Sequence, residues 1–223
     1  MEYFFSPLPH PQISLTSQSS TLHKAKSIAS KSSSLLPSKM QKTKLLNMTY
    51  TTKYTSPLGP ILLSADDTGL TGVWFEDQKY FASTLPREHI FKETEILLMT
   101  KRYLDVYFSG KKPDFTPPLN PFGSDFRKSV WQILLQIPYG KTTTYGEIAK
   151  QIAKIKNIPR MSSQAVGGAV GHNPISIIIP CHRVVGSNGN LTGYAGGFER
   201  KVKLLEIEHA DIGSFFIPKK ELL

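Results

Sequence analysis

The stretch NPISIIIPCHRVVGSNGNLTGYAGG, residues 173–197, decides how this chain is read. It carries the only cysteine, Cys181, placed between a proline and a histidine at the end of an apolar run. ISIII (175–179) reads as a buried strand or extended segment ended by Pro180, and CHRVVG follows where the chain is about to turn. That order puts the thiol at the mouth of a core rather than within it. An unperturbed thiol is only a few per cent thiolate at neutral pH, so a cysteine nucleophile needs a base or a cationic field. His182 and Arg183 are the neighbours that could supply them. Successive residues of an extended chain point to opposite faces, so contact between Cys181 and His182 does not follow from adjacency, and a water could carry the proton. Taken alone, a lone cysteine is as readily a small buried hydrophobe.

Composition narrows the classes. The chain has 223 residues, 39% hydrophobic and 20% charged, which suits a globular protein with two small domains. One cysteine forms no internal disulfide and cannot furnish a sulfur-rich zinc site, so a reducing, cytoplasmic setting without metal is expected. No apolar run is long enough to span a bilayer, and the first residues do not resemble a secretory signal. The net charge is +10, of which Lys24, Lys26, Lys31, Lys39, Lys42 and Lys44 against Glu2 supply half. The mildly basic remainder is compatible with a polyanionic partner without requiring one.

Residues 1–47, rich in Ser, Lys and Pro, have no sustained apolar period and are expected to be a disordered, dispensable extension ahead of Met48. From Tyr50, YTTKYT, ILLSA and LTGVWF are β-prone runs separated by SPLGP and DDTG turns, which predicts a small antiparallel meander. ETEILLMTKRYLDVYFSG spaces Ile96, Met99, Tyr103 and Tyr107 at helical intervals, so a helix should cover one face of that sheet. This gives a first domain over 48–110. The proline-rich segment 111–124 reads as a stiff linker, and a second domain follows over 125–223.

In the second domain, DFRKSVWQILLQIP places Phe126, Val130, Leu134 and Ile137 on one helical face. TTTYGEIAKQIAKI then offers Thr144 and Glu147 as a capping box, with Ile148, Ile152 and Ile155 on one stripe. MSSQAVGGAVGHN predicts a third helix capped by Ser162 or Ser163 and ended near Gly171. The last two helices, joined by KNIPRM, suit a helix-turn-helix. Ala165, Gly167, Gly168 and Ala169 are poor choices for an isolated helix, since glycine costs roughly 1 kcal/mol relative to alanine there. Tight helix packing and close approach to a DNA groove explain them equally well at this point.

IPCHRVVG (179–186), preceded by QAVGGAVGHNP (164–174) and followed by GNLTGYAGGFERKVKLLEIE (189–208), resembles the active-site region of the O6-alkylguanine-DNA alkyltransferases, or methylated-DNA–protein-cysteine methyltransferases. The resemblance extends over residues 48–223. It implies an α/β two-domain fold: a ribonuclease-H-like N-terminal sheet plus helix, and a winged-helix-like C-terminal domain with a helix-turn-helix. It also implies that Cys181 accepts the alkyl group of O6-alkylguanine in duplex DNA irreversibly, one molecule per lesion, with no cofactor. His182 would activate Cys181 through a water, and Glu208 would orient the imidazole. Tyr145 would protonate the departing guanine, and Asn173 would hold the turn between recognition helix and cysteine segment. Read without the family, Glu208 suits a solvated helix face, Tyr145 a packing position and Asn173 a turn.

An alkylated base edge is unreachable inside a duplex, so the nucleotide must be flipped out into a pocket. Val184, Tyr194, Ala195 and Gly196 would line that pocket. Ser163, Gln164, Ala165, Gly168 and Arg183 would face the DNA minor groove, where small residues permit close, sequence-tolerant docking. Gln164 stands where the family commonly offers an intercalating arginine, and it lacks that residue's charge and broad plane. Activity on O4-alkylthymine is a further possibility the resemblance carries, and a monomer is expected. The alternative from another class is a non-catalytic alkyltransferase-like lesion-binding protein. Those relatives replace the cysteine that this chain keeps.

Overall fold

Tyr50–Ser56 (β1), Gly59–Ala65 (β2) and Leu70–Phe75 (β3) pair antiparallel in the computed structural model, which describes residues 48–191, 193–213, 215 and 216. The expectation for residues 1–47 lies outside the described residues. The turns follow the local chemistry: Ser56 Oγ accepts from Leu58 N–H, and Asp66 Oδ1 accepts from the N–H groups of Thr68 and Gly69. A fourth strand that the sequence does not announce, Ile90–Phe91 (β4), runs parallel to β1, so the sheet is mixed, in the order β3-β2-β1-β4. Two residues with both side chains exposed carry no alternation by which to recognise a strand.

Glu95–Phe108 (α1) starts at Thr94, whose side chain accepts from Leu97 N–H. It buries Leu97, Thr100, Tyr103, Leu104 and Tyr107, whereas Ile96 and Met99 are half-buried, so the N-terminal part of the apolar stripe is shifted by one residue. Beyond it, the segment 111–124 lies along the start of β3. Leu70 donates to Pro118 O at 2.7 Å, and Asn120 donates back to Leu70 O at 2.8 Å.

The second half opens with Asp125–Leu134 (α2), capped by Ser124 and burying Val130, Trp131, Ile133 and Leu134. Thr143–Thr144 (β5) leads into Tyr145–Ile155 (α3), where Thr144 Oγ1 caps Glu147 N–H at 3.1 Å. Ile148, Ala149, Ile152 and Ala153 are buried, but Ile155 is 67% exposed because the helix ends there and its last turn leaves the core. Ser163–Gly171 (α4) is capped by Ser162 and packs on α3 and α2. A 3-10 turn, Cys181–Arg183, precedes Val184–Val185 (β6), which pairs parallel to β5; Phe198–Ile207 (α5) completes the fold.

The ISIII run is not a strand. Ile175, Ile177, Ile178 and Ile179 are buried, yet among the described residues their only ladder contact is the bridge of Ile175 to Val73, and Ile177 sits at φ +70°. Asn173 coils the segment: its Oδ1 accepts from Ile175 N–H, and its Nδ2 donates to Ile175 O and Ile179 O. Val73 donates to Pro174 O and accepts from Ser176 N–H, so this coil lies against β3, the outer strand of the sheet. Among the described residues no helix is long and apolar enough to cross a membrane.

Candidate active site

Cys181 begins the 3-10 turn and is 5% exposed, so the thiol lies inside the core rather than at its mouth. Asn173 Nδ2 donates to its sulfur at 3.0 Å. The coil around Asn173 therefore fixes both the backbone leading to the cysteine and the thiol itself. Burial pushes the Cys181 pKa up, with the Asn173 hydrogen bond and the Lys201 charge opposing it. At neutral pH the sulfur is a protonated thiol that needs a base.

His182 is fully buried, and its Nε2 lies 2.7 Å from Glu208 Oε1. A carboxylate can only accept, so the Nε2 proton is the one donated and the neutral ring carries its lone pair on Nδ1. Nδ1 is buried and has no hydrogen-bond partner among the described residues. Burial lowers the His182 pKa below its ordinary value, while the Glu208 hydrogen bond and charge work the other way. The ring is thus held as a neutral, oriented base.

Glu208, at the C-terminal cap of α5, is 2% exposed rather than solvated. Its carboxylate accepts from His182, from Tyr107 Oη at 2.9 Å, from Arg183 Nε at 2.8 Å and Nη2 at 3.0 Å, and from Gly140 N–H at 3.1 Å. Burial alone would raise its pKa, but the His182 and Arg183 interactions bring it down to about 2. Arg183 corrects the sequence reading. It is 7% exposed, held by Glu208 and by Ile137 O at 2.6 Å, with its guanidinium carbon 5.7 Å from the centre of the Tyr139 ring, so it does not face DNA. A buried arginine is retained where a buried carboxylate compensates it.

Two contributors escaped the sequence reading. Tyr107 of α1 reads as a core residue because its partner Glu208 lies 101 residues away. Lys201 of α5 is fully buried and donates from Nζ to Val184 O at 2.6 Å, tying the helix to the chain just after the cysteine turn. A lysine in an amphipathic helix carries no local sign of such burial.

Val184, Tyr194 and Gly196 are buried and Ala195 half-buried around the loop after β6. The N-terminal half pins this loop: Lys79 N–H donates to Ala195 O, and Arg200 bonds Gly196 O, Leu58 O and Asp77 while its guanidinium lies over Phe75. Gly193 adopts φ +88°, and a Cβ there would come within 2.6 Å of Tyr145 Oη, so the hydroxyl of Tyr145 lies directly against the loop. Burial, then the nearby Cys181, raises the Tyr194 pKa well above its ordinary value, so its phenol stays protonated.

On α4 the buried side chains are Val166, Ala169 and Val170, while Ser163, Gln164, Ala165 and Gly168 are exposed. A Cβ on Gly168 would meet nothing within 4 Å, so this glycine opens a surface rather than admitting a neighbouring helix. A cleft of about 570 Å³ runs from Gly167, Gly168 and Gly171 to the loop of Gly193–Phe198. Asn173 thus holds the Cys181 thiol, Glu208 holds the adjacent His182 imidazole, Tyr145 Oη lies against the loop that carries Tyr194, and the glycines of α4 line the cleft beside that loop. Among the described residues no three His, Cys, Asp or Glu side chains converge as a metal site would require.

Residues 125–210 match the family model described as 6-O-methylguanine DNA methyltransferase, DNA binding domain, and residues 49–121 match that of its ribonuclease-like domain. The methylated-DNA–protein-cysteine methyltransferase of Methanosarcina acetivorans is 46% identical over 159 residues, covering 70% of this chain and 95% of the relative. That of Mycobacterium tuberculosis is 44% identical over 153 residues, covering 69% and 88%. A crystal structure of the M. tuberculosis protein, OGT, in complex with DNA is similar at a TM-score of 0.61 and 39% identity, covering 75% of this chain and 98% of that one. The chain belongs to the methylated-DNA–protein-cysteine methyltransferase family.

Proposed function

We propose that the protein repairs alkylated DNA by moving the alkyl group of O6-alkylguanine onto Cys181, once per molecule. The observation that carries this reading is the buried His182 imidazole, directly after the protonated thiol of Cys181 in the chain, with Nε2 committed to Glu208 and Nδ1 left with its lone pair. The thiol proton passes through a water to Nδ1, and Sγ attacks the alkyl carbon. The S–C bond forms as the C–O6 bond breaks, and the guanine leaving group takes a proton from Tyr145 Oη. The proton held by the His182 imidazolium then returns through water to the tyrosinate, so the sum is thiol plus alkylated guanine giving thioether plus guanine. Glu208 keeps the imidazole in its reactive tautomer and stabilises the cation formed when it accepts the proton.

Several finer features belong to the same reading. The lesion nucleotide leaves the stack and enters the space bounded by Val184, Tyr194, Ala195 and Gly196, because the reacting carbon is inaccessible in a duplex. The exposed face of α4, with Ser163, Gln164, Ala165 and Gly168, lies against the minor groove, and Gln164 sits where a side chain would fill the gap in the stack. The halves 48–110 and 125–223, with 111–124 between them, act as ribonuclease-H-like and winged-helix-like domains, the latter with a helix-turn-helix. The protein works as a monomer in the cytoplasm and needs no cofactor.

Incubation with duplex DNA carrying radiolabelled O6-methylguanine tests the proposal. Label should move to protein, saturate near one per chain and map to Cys181. Label recovered as free methanol, or on any other residue, would overturn it.

A further inference from the structure

The segment after β3, Glu76–Leu85, meets the base loop through the Lys79 backbone and Arg200 through Asp77, and its side chains form a distinct construction. Tyr80 (φ +62°) and Ala82 (φ +48°) both occupy the left-handed region that residues other than glycine rarely adopt. Backbone strain of this kind persists where surrounding structure enforces it and is concentrated at functional surfaces. In this segment the Tyr80 ring lies on the His172 imidazole, centroids 4.1 Å apart and planes at 24°. His172 follows α4 directly, and its Nδ1 lies 2.7 Å from Gly168 O, which ties the stack to the last turn of that helix. Tyr80 is nevertheless 38% exposed. The Lys79 ammonium stands 5.0 Å from the centre of the same ring, and Lys79 forms no ion pair with a carboxylate among the described residues.

Lys79, Tyr80 and His172 form one stretch of the wall of the 570 Å³ cleft, which the glycines of α4 and the loop of Gly193–Phe198 also line. We propose that Lys79 and Tyr80 are a second DNA contact, contributed by the N-terminal half, which grips the sugar–phosphate backbone of the lesion strand beside the extruded nucleotide. This rests on the alkyl-transfer reading above. Three features select that occupant. The wall is continuous with the exposed α4 face, so a strand lying along α4 meets it. Its charged group is an exposed lysine, which suits a phosphate. The same cleft is lined by Gly167, Gly168 and Gly171, two of which have open space where a Cβ would be, leaving room for a backbone as broad as a nucleotide strand. Lys79 supplies the counter-charge, and the tethered Tyr80 offers the exposed part of its ring to the deoxyribose. The same segment hands Lys79 N–H to Ala195 O, so the DNA contact and the base loop share one backbone.

The test measures binding of a duplex containing O6-methylguanine in a Cys181→Ala background, so that reaction does not consume the complex. Lys79→Ala leaves the backbone bond to Ala195 in place and removes one phosphate contact. The slope of log affinity against log salt should become shallower by about 0.9, and its deficit should narrow about threefold between about 50 and 200 mM salt. Tyr80→Asn keeps a residue that tolerates the left-handed backbone and removes the ring; it should weaken binding several-fold at every salt concentration. Unchanged affinity and slope for Lys79→Ala overturn the proposal, and if Tyr80→Asn does not fold, Lys79→Ala decides alone. With Cys181 intact, free O6-benzylguanine, which has no phosphate, is the reference substrate. A loss of equal size on free base and duplex would mean a collapsed loop rather than a lost DNA contact, and would also overturn it. Absence of a thioether on Cys181 in the unsubstituted protein would instead refute alkyl transfer, a result separate from either outcome for Lys79.

Discussion

The hydroxyl of Tyr107, in the N-terminal half, donates to Glu208 Oε1 at 2.9 Å, on the same oxygen that holds His182 Nε2 at 2.7 Å. Burial and then Glu208 raise the Tyr107 pKa well above its ordinary value, so the hydroxyl acts only as a proton donor. Tyr107→Phe should cost about 1.5–3 kcal/mol of stability, the range for a hydrogen bond to a charged group. Relieved of one donor, Glu208 becomes a stronger acceptor for the imidazole, so the acid limb of the transfer-rate profile should move to higher pH. A purely packing role for Tyr107 would lower stability and leave that limb where it was.

Glu208→Gln leaves Arg183 buried without its countercharge. A destabilisation of roughly 3–5 kcal/mol is expected from breaking one partner of a buried pair. Denaturant unfolding should show it, and the double variant Glu208→Gln with Arg183→Met should recover part of the loss. If the double variant is as unstable as the single one, uncompensated charge is not the cause.

Acid should destabilise the protein in two stages. His182 and Glu208 both have folded pKa values below their ordinary ones, 6.5 and 4.5, so each binds fewer protons folded than unfolded. Their contributions are complete above those ordinary values. The His182 share is lost as pH falls below about 6.5, and the Glu208 share is lost between about 4.5 and 2. A series of thermal midpoints against pH should decline in that sequence, and a rise on mild acidification would contradict it. The depressed His182 pKa also predicts that transfer persists to lower pH than an ordinary imidazole base would permit.

Gly193→Ala forces a Cβ to within 2.6 Å of Tyr145 Oη at a backbone angle of φ +88°. The loop or the tyrosine must move. Transfer from both duplex and free base should fall by at least tenfold, since both need the same leaving-group proton and the same pocket. Retention of normal rates would separate Tyr145 from the chemistry.

Gln164→Arg places a charged, planar side chain on the exposed face of α4, near its N-terminus. Binding to lesion duplex should tighten and become more salt-dependent, and the gain on duplex should exceed any change with free O6-benzylguanine. Weaker binding would show that the glutamine makes contacts an arginine cannot replace.

Much of this was legible in local patterns. The Thr144 and Ser162 caps are set by residues within three or four positions of each other, and the β1–β3 turns by Asp, Gly and Pro at fixed offsets. The cysteine, the histidine and the glutamate could be named through the resemblance of one continuous stretch. What stayed hidden depends on distant partners. Arg183 looks like a surface cation until Glu208 is brought to it, Tyr107 looks like packing, and Lys201 looks solvated. β4 is visible only through its pairing with β1. The ISIII run has every mark of a strand except that Asn173, just before it, takes up the hydrogen bonds that would extend it.

The contact of Val73 with Pro174 and Ser176 has an effect beyond placing the cysteine. β3 is an outer strand, and its open row of peptide groups would otherwise offer a template for another chain. The coil that leads to the cysteine seals that edge at Val73, as residues 118–120 seal it at Leu70. A disturbance large enough to lift residues 174–176 away would therefore disarm the nucleophile and uncover a self-association surface in the same event, so loss of repair capacity and onset of aggregation should share one threshold.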